Sequence, residues 1–351
     1  MQEIDKSKPV LVTGATGYVA GRLVEKLLSE GFTVNAAVRN PDDKEKTKYL
    51  DSLADKLPGS IVYFKSNLLE EGSYDEAMKN CQLVFHTASP FTRSVKDAQT
   101  DLVDPAKKGT LNVLTSVNKT ETVQRVVLTS SCAAIYGDAI DTLKMPNQEL
   151  TEESWNTTSS LTHQPYSYSK TVAEKLAWEI AEQQNRWELV TINPSLVMGP
   201  GINPHATSES YSIIKQIGNG DFKFGAPVFN IGCIDVRDLA EAHYKAGIKP
   251  EASGRYIISA ANTSFSEIAG FIKEKFPNYP ISTRKMPKWL IWLIAPTIGM
   301  TRQEVSNNIG YPWKANNSKA IKELGLNFRS LKNTATEFFS QLEESNSFSK
   351  K

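Results

Sequence analysis

Short β-branched runs alternate with stretches of helical periodicity through the first half of the sequence, and this alternation constrains the fold more than any other feature. Such runs separated by helices imply parallel strands joined by right-handed crossovers, in a sheet buried between two layers of helices. We therefore predict an α/β fold built on a Rossmann-type, doubly wound parallel sheet. The strand-like runs are PVLVT (9–13), FTVNAAV (32–38), SIVYF (60–64), QLVFHTA (82–88), RVVLTSS (125–131) and ELVTINP (188–194).

The second half of the chain has a different character. Glycine, proline and asparagine cluster in NPSLVMGPGINPH and GNGDFKFGAP, and later segments mix a short strand, GRYIIS at 254–259, with a helix, SFSEIAGFIKEKF at 264–276. This mixture predicts a smaller α+β lobe that closes over the carboxyl edge of the sheet, where ligands bind in open α/β folds. We expect a Rossmann domain at 1–194 and a substrate-binding lobe at 195–351, with the segment around 228–247 packing back against the first domain.

The composition excludes several classes of function. The chain has 351 residues, a formal net charge of +1 and 40% hydrophobic residues, so it offers neither a basic surface for nucleic acid nor an acidic tail. Its three cysteines and four histidines lack the spacing of a disulfide framework or a metal site. The polar N-terminus carries no secretory signal, and the apolar run at 289–300 is too short to cross a bilayer. We expect a cytoplasmic protein, a monomer or homodimer, without a metal and without nucleic-acid or membrane partners.

A glycine-rich turn joins the first predicted strand to the first predicted helix. Gly14, Gly17 and Ala20 form the pattern G-x-x-G-x-x-A. The first glycine suits a tight turn, the second lets backbone amides approach a pyrophosphate, and the alanine permits close packing of helix on strand. A glycine-rich turn without a ligand is the alternative, but the position after the first strand of a βαβ pattern favours a dinucleotide site.

The end of the second predicted strand indicates which dinucleotide is preferred. An NAD site has an acidic residue there, whereas this chain has Arg39, followed by Lys44 and Lys46. A guanidinium at this point suits a ribose 2′-phosphate. The sequence therefore predicts NADPH/NADP+ as the cofactor, with a solvent-exposed loop cation as the alternative interpretation of Arg39.

The segment PYSYSK places two tyrosines ahead of a lysine at the start of a predicted helix. At about 100° per residue, Tyr166 and Lys170 share the face that carries the apolar stripe, and Tyr168 points to the polar face. A nearby ammonium stabilises a phenolate, so Tyr166 could give its proton to a carbonyl oxygen while Ser131, at the end of the fifth strand, holds that oxygen. The alternative is a helix with a core tyrosine and a lysine whose stem packs on apolar surface.

Several segments together resemble the extended short-chain dehydrogenases/reductases, over roughly residues 8 to 340. These segments are VTGATGYVAG, VFHTASPF, VVLTSSCAAIYG, PYSYSK, INPSLVMGP, IDVRDLAEAH and NNSKAIKELGL. They are most similar to the branch of dihydroflavonol 4-reductase, cinnamoyl-CoA reductase and the yeast ketone and methylglyoxal reductases. The resemblance implies Ser131, Tyr166 and Lys170 as the catalytic residues. It implies as cofactor-binding residues Thr13, Gly14, Thr16, Gly17, Tyr18, Val19, Arg39, Lys46, Asn67, Leu68, Thr87, Ala88, Ser89, Tyr166, Lys170, Pro194, Ser195 and Val197.

Two positions depart from the pattern of that family. Asn67 stands where an aspartate usually reaches the adenine amine, although an amide oxygen can accept the same hydrogen bond. Tyr136 occupies the place of an asparagine that serves the flavonoid in dihydroflavonol reductases, which argues against a flavonoid substrate. A third residue, Asn112, either anchors a water in the proton relay, as in other members, or satisfies backbone groups in a kink or loop.

The substrate pocket is predicted from side chains near the serine strand and in the second lobe. The candidates are Phe91, Cys132, Tyr136, Tyr211 and Phe229, and each of them fits plain core packing as well.

The function we expect is that of an NADPH-dependent carbonyl reductase acting on a small aldehyde or ketone. One alternative is a nucleotide-sugar epimerase or dehydratase that retains NAD, and Arg39 speaks against it. The other is a non-catalytic NADPH-sensing protein, a class that commonly loses the tyrosine or the lysine.

Overall fold

The computed structural model describes residues 3–89, 95–223 and 225–348. The strands are β1 (Val10–Thr13), β2 (Thr33–Val38), β3 (Ser60–Lys65), β4 (Leu83–His86), β5 (Arg125–Thr129), β6 (Glu188–Pro194), β7 (Leu196–Met198), β8 (Ala226–Pro227), β9 (Asn230–Asp235), β10 (Gly254–Ile258), β11 (Ala261–Ser264) and β12 (Lys285–Met286). The α-helices are α1 (Tyr18–Ser29), α2 (Lys44–Ala54), α3 (Asp75–Met78), α4 (Asp104–Lys119), α5 (Pro165–Glu182), α6 (Glu209–Asn219), α7 (Val236–Ile248), α8 (Phe265–Lys275), α9 (Lys288–Ile294), α10 (Arg302–Asn308), α11 (Ser318–Leu324) and α12 (Leu331–Glu344).

Seven parallel strands form the main sheet in the order β10-β6-β5-β4-β1-β2-β3. The central strands β1 and β4 are buried along their whole length, which explains why their sequences are continuous apolar runs. The strand order reverses between β1 and β4, and a crevice for ligands opens at the carboxyl ends of such a pair. The predicted Rossmann-type sheet is therefore confirmed.

Helices cover both faces of this sheet. On one face α1 packs against α7, and Leu23, Leu27 and Leu239 join the strands in one core. On the other face α4 packs against α5, over a second core that includes Val113 and Ala177. Each fully buried aliphatic side chain of this kind stabilises the fold by about 1.5–3 kcal/mol, so the amphipathic pattern of the helices is what holds them on the sheet.

The seventh strand of the sheet comes from the second half of the chain. β10 pairs in parallel with β6, so the strand predicted at 254–259 lies in the main sheet and not in the second lobe. The preceding helix, α7, is fixed by Arg125, which is fully buried at the start of β5. Its guanidinium donates to the carbonyls of Ala246 and Lys249 around the end of α7. The chain thus returns to the Rossmann domain after its first passage through the second lobe.

The second lobe is built around a small mixed sheet. In the order β11-β9-β7, β9 runs antiparallel to β11 and parallel to β7. α6, α8 and α12 enclose a core that contains Tyr211 and Phe338, and a separate small core under α9 and α10 contains Ile291 and Val305. Within the described ranges, no helix is both long and apolar enough to cross a membrane.

All three cysteines, Cys81, Cys132 and Cys233, are buried and free. Burial raises the pKa of the Cys81 and Cys233 thiols to about 12, so both stay protonated at neutral pH. The described parts of the chain contain no group of histidine, cysteine or acidic side chains that could hold a metal ion.

Candidate active site

The glycine turn between β1 and α1 leaves an open helix N-terminus. Gly14 has a φ of +65°, and a Cβ added there would lie 3.2 Å from the Cβ of Ala88, so both the turn and the close approach of the segment after β4 require glycine. Gly17 is the N-cap of α1, and as a glycine it has no side chain with which to cap the first amides of that helix. Uncapped amides at the positive end of a helix dipole suit a pyrophosphate. This part of the chain therefore fits the predicted dinucleotide site.

The side chain of Thr13 joins the ends of two strands. Its Oγ1 accepts hydrogen bonds from the amides of Thr87 at 3.1 Å and Ala88 at 3.0 Å. With both lone pairs engaged, it donates its own proton to Nδ1 of His86, 3.0 Å away. Burial, aided by the charge of Lys170, lowers the pKa of His86 to about 3, so this imidazole is neutral. These bonds fix the carboxyl ends of β1 and β4, where the strand order reverses.

Two cations follow β2 on the side of the glycine turn. Arg39 comes directly after the strand and its side chain is exposed. The Lys46 ammonium, on α2, lies 2.9 Å from Oδ2 of Asp43. Lys46 also lines a crevice together with Thr16 and Gly17. An exposed guanidinium and an ammonium at this edge of the sheet can pair with a phosphate group.

The loop after β3 is held by Asn112 on α4. The Asn112 amide donates to the carbonyls of Leu68 at 3.1 Å and Glu70 at 2.7 Å. The side-chain oxygen of Asn67 accepts from the amide of Leu69 at 3.1 Å, within the same loop. Asn112 therefore satisfies loop backbone groups, which is the second of the two roles considered for it.

A crevice at the carboxyl edge brings Lys170 together with the ends of β4 and β5. Its lining includes Ala88, Ser89, Ser130 and Lys170. The Lys170 ammonium donates to Oγ of Ser89 at 3.0 Å and lies 5.9 Å from the ring centroid of Tyr166. The Lys170 ammonium therefore lies between Ser89, in the segment that follows β4, and Tyr166, at the start of α5.

Ser131 opens a short 3₁₀ turn, Cys132–Ala134, which packs against α5. Its hydroxyl oxygen accepts from the amide of Ala133 at 3.1 Å, and its carbonyl accepts from Nδ2 of Asn193 at 3.1 Å. The accepted bond fixes the position of Oγ and leaves the hydroxyl proton to be donated elsewhere. A hydroxyl held in this way can orient a carbonyl oxygen.

The helical phase predicted for α5 is wrong. Tyr166, predicted to be buried, is 53% exposed, whereas Tyr168, predicted on the polar face, is partly buried. The buried face consists instead of Ser167, Ser169, Thr171, Glu174 and Ala177. Ser169 and Thr171 donate their hydroxyl protons to carbonyls of their own helix, so these polar residues can occupy a buried face. The Tyr166 hydroxyl is consequently open to a ligand.

Sequence reasoning missed a buried charged network behind Ser131. Glu174 is 1% exposed, and its carboxylate accepts from Nε of Arg255 at 2.7 Å and Nδ2 of Asn193 at 2.8 Å. The hydroxyl of Ser130 donates to the same carboxylate. These bonds tie α5 to β6, to β10 and to the end of β5. The signal in the sequence was an acidic residue one turn after the lysine.

A second cluster that sequence reasoning missed surrounds Asp138, which is 2% exposed. Its carboxylate accepts from Nε2 of His163 at 2.6 Å and from the side-chain amides of Asn307 at 2.8 Å and Asn308 at 2.7 Å. Burial acts to raise the pKa of Asp138, but these hydrogen bonds outweigh it and hold the pKa below its usual value. His163 lies two residues before the start of α5, and the two asparagines end α10. The cluster thus joins the start of α5 to the second lobe.

Pro194, Ser195 and Val197, which the resemblance places behind the nicotinamide, form the passage from β6 to β7. The amide of Ser195 donates to the carbonyl of Ile258 at 3.1 Å, and Val197 packs against the core of the Rossmann domain. This passage therefore follows the carboxyl end of β6, at the same edge of the sheet as Ser131.

Tyr18 and Tyr211 meet inside the second lobe. Their ring centroids are 5.3 Å apart with nearly perpendicular planes. Their hydroxyls donate to backbone carbonyls, Tyr18 to Gly199 at 2.6 Å and Tyr211 to Asn203 at 2.9 Å. Tyr211 is therefore a buried core residue of the second lobe. The side chain of Tyr18 packs in the second lobe, and that of Val19 packs on the core of the main sheet. Only the backbone amides of these two residues are therefore placed to bind a cofactor.

The other pocket candidates do not form one common pocket in the described part of the chain. Cys132 and Tyr136 belong to a small core with Trp313, whose ring centroid is 5.9 Å from that of Tyr136. Phe229 packs in the core under α9 and α10. Phe91 lies outside the described residues.

The strand order reverses beside the glycine turn, and Tyr166 and Lys170 lie at the same edge of the sheet. These features together define the class of the extended short-chain dehydrogenases/reductases. The profile of the family described as "NAD dependent epimerase/dehydratase family" matches residues 10–259. The chain belongs to this family, and it is an oxidoreductase.

Individual relatives are reductases. Over 272 residues the chain is 41% identical to cinnamoyl-CoA reductase CAD2 of Medicago truncatula, covering 77% of this chain and 81% of that one. Over 335 residues it is 34% identical to tetraketide alpha-pyrone reductase 1 of Arabidopsis thaliana, covering 93% of both. A similar solved structure is yeast methylglyoxal/isovaleraldehyde reductase Gre2 complexed with NADPH, with a TM-score of 0.78, 29% identity and coverage of 96% of this chain and 99% of that one.

Proposed function

We propose that the protein is an NADPH-dependent reductase of aldehydes or ketones, in which Tyr166 donates a proton to the carbonyl oxygen. The observation that carries the proposal is the position of the Lys170 ammonium, 3.0 Å from Oγ of Ser89 and 5.9 Å from the ring centroid of an exposed Tyr166. A cation held there stabilises the phenolate as the proton leaves. The relatives named as cinnamoyl-CoA and tetraketide alpha-pyrone reductases support a carbonyl substrate.

The residues proposed to hold the cofactor run along the carboxyl edge of the sheet. The uncapped amides that follow Gly17 would bind the pyrophosphate, Arg39 and Lys46 the 2′-phosphate, and Ser89 with Lys170 the ribose next to the nicotinamide. The bound nicotinamide supplies the hydride. The choice of NADPH is supported by the cations after β2 and by the NADPH complex of the similar yeast reductase.

The protein's own groups would act on the carbonyl oxygen. Ser131 donates a hydrogen bond that orients this oxygen, and Tyr166 transfers its phenolic proton to the same atom. The charge of Lys170 offsets the negative charge left on the phenolic oxygen. Because the pKa of His86 is lowered to about 3, the imidazole behind the lysine stays neutral and adds no competing cation. Glu174 keeps the Ser131 backbone in place through Asn193.

Consumption of reduced nicotinamide across a panel of carbonyl compounds tests this function. The panel contains aldehydes, α-keto esters, aryl ketones and diketones, each assayed with NADPH and with NADH. We expect oxidation of NADPH with at least one class, faster than oxidation of NADH. In the Arg39→Ala protein the KM for NADPH should rise by roughly tenfold or more, because a charged hydrogen bond is lost, while the KM for NADH changes little.

Two results would assign a different function. Protein that purifies with tightly bound NAD and turns over a UDP-sugar without added cofactor would be an epimerase or dehydratase. Protein that binds NADPH but oxidises it with no member of the panel would be a sensor. The Tyr166→Phe protein is the matched control, since it should bind NADPH normally and fail only in turnover.

A further inference from the structure

One apolar face of the second lobe lies uncovered in the part of the chain that the structure describes. α9 buries Ile291 in the small core beneath it and leaves its other side open. Trp289 is 65% exposed and Leu293 53%. Trp292 is exposed beside them, and Ile298 is exposed in the turn that follows α9. Spacings of three and four residues place both tryptophans and the leucine on one side of the helix. Large apolar side chains grouped in this way mark a binding surface.

The charged residues in this segment are all cations. The sequence has no aspartate or glutamate between Glu274 and Glu304. The basic side chains on α9 and in the segments before and after it are exposed, namely Arg284, Lys285, Lys288 and Arg302. The guanidinium of Arg302 lies over the ring of Trp292, 4.4 Å from its centroid, so cation and aromatic group occupy the same surface. We name these four cations, with Trp289, Trp292, Leu293 and Ile298, the apolar–basic surface.

We infer that the apolar–basic surface binds an anionic lipid membrane, with α9 lying along the interface. Tryptophan and leucine enter the boundary between headgroups and acyl chains, and lysine and arginine pair with anionic headgroups. α9 has seven residues, so it can lie on a membrane without crossing it. This inference reverses the sequence-based expectation of no membrane partner, and it does not rest on the proposed reductase activity.

Other occupants fit the charges less well. A two-fold dimer through this surface would bring the four cations of each copy into one interface, because both copies present the same patch, and residues 275–303 contain no acidic residue to pair with them. Protein–protein interfaces are enriched in aromatic residues and arginine but depleted in lysine, whereas this surface carries Lys285 and Lys288. An anionic lipid surface satisfies the apolar and the basic groups together.

Co-sedimentation of the full-length protein with vesicles tests the inference. We expect binding to phosphatidylcholine vesicles that contain phosphatidylglycerol, at least tenfold tighter than binding to phosphatidylcholine alone, since each basic residue near an anionic surface strengthens binding by roughly fivefold. Added salt should weaken the binding, because charges are screened beyond about 8 Å at physiological ionic strength. The exposed double variant Trp289→Ala/Leu293→Ala should lose roughly tenfold or more in apparent affinity.

The matched control is Leu111→Ala/Ile321→Ala, which removes two exposed apolar side chains elsewhere on the molecule. It should bind vesicles like the unmodified protein. The inference is overturned if the unmodified protein does not bind anionic vesicles, or if the two double variants bind these vesicles with equal affinity. A dimer in analytical ultracentrifugation that Trp289→Ala/Leu293→Ala dissolves, without any vesicle binding, would assign the surface to a second copy. NADPH oxidation with a soluble carbonyl compound should be unchanged in both variants.

Discussion

Two tyrosines at the start of α5 differ in exposure and in their distance along the helix from Lys170. Tyr166 lies one turn before the lysine, with its ring centroid 5.9 Å from the ammonium, whereas Tyr168 is partly buried. We expect Tyr166→Phe to lower kcat by about 10²–10⁴-fold, the usual contribution of a positioned general acid, and to leave the KM for NADPH nearly unchanged. Tyr168→Phe should retain most of the activity. Steady-state kinetics measure kcat for both variants. A larger loss of kcat in Tyr168→Phe than in Tyr166→Phe would contradict the assignment of Tyr166 as the proton donor.

The buried histidine His243 contributes to the pH dependence of stability. Nδ1 of His243 donates to the carbonyl of Leu239 at 2.8 Å, so Nε2 accepts from the hydroxyl of Thr129 at 2.7 Å and the ring is neutral. Burial lowers the pKa of His243 to about 4, although the bond to Leu239 opposes the shift. The unfolded chain, with a histidine pKa near 6.5, therefore binds more protons than the fold as the pH falls below about 6.5.

The consequence is a loss of stability in mild acid. Between about pH 7 and about pH 5, His243 should remove about 2 kcal/mol from the free energy of unfolding. Urea unfolding of the His243→Gln protein should show a pH dependence smaller by that amount. His205 is exposed, so His205→Gln should keep the pH dependence of the unmodified protein. Equal slopes in all three proteins would be evidence against a neutral buried His243.

At the scale of elements, the start of α5 is held by a cluster that reaches across two lobes. Removing the carboxylate in Asp138→Ala leaves the donors of His163, Asn307 and Asn308 without their shared acceptor. We expect a loss of about 3 kcal/mol in the free energy of unfolding, because buried donors would lose a charged partner. The exposed Glu153→Gln serves as control. Urea unfolding measures the difference, and equal midpoints for the two variants would refute the role of the cluster.

The same cluster gives a kinetic expectation. Because His163 lies just before α5 and Tyr166 in its first turn, Asp138→Ala should lower kcat more than it raises the KM for NADPH. Loss of stability alone would reduce the amount of active enzyme without changing KM or the pH profile, so active-site titration separates the two effects.

Elements whose signals lie in neighbouring residues could be predicted from the sequence. The glycine turn is recognisable because a β-branched run and an amphipathic helix flank Gly14 and Gly17 directly. The buried face of α5 was misjudged because hydroxyls such as that of Thr171 are satisfied within the helix, which hydropathy does not reveal. The bond between Glu174 and Arg255 and the pairing of β10 with β6 join distant segments, and no local pattern encodes them.

At the scale of the molecule, the two lobes share their chain. It leaves the main sheet after β6, returns through α7 and β10, and passes again into the small sheet at β11. Neither lobe is therefore formed by one continuous segment of the chain. We expect unfolding of one lobe's core to free the ends of strands and helices that belong to the other lobe. We expect both lobes to unfold in one cooperative transition.

A core substitution in the second lobe tests this cooperativity. Phe338 is fully buried among Tyr18 and Tyr211, so Phe338→Ala should cost about 3–5 kcal/mol. Hydrogen exchange should then speed up equally at amides of β1 and β4 in the main sheet and at amides of the small sheet. Two resolved thermal transitions, of which only one moves in the variant, would contradict a single cooperative unit.

Tyr18 gives this shared architecture a consequence for the order in which ligands bind. It opens α1, the helix proposed to hold the pyrophosphate, yet its hydroxyl bonds the carbonyl of Gly199 and its ring stacks on Phe338 in the other lobe. A ligand that fixes the first turn of α1 would therefore also fix the lobe that we propose to receive the carbonyl compound. Coupling of this kind is reciprocal: at the proposed sites, a dinucleotide that binds first would strengthen binding of the carbonyl compound, and the carbonyl compound would strengthen binding of the dinucleotide by the same factor.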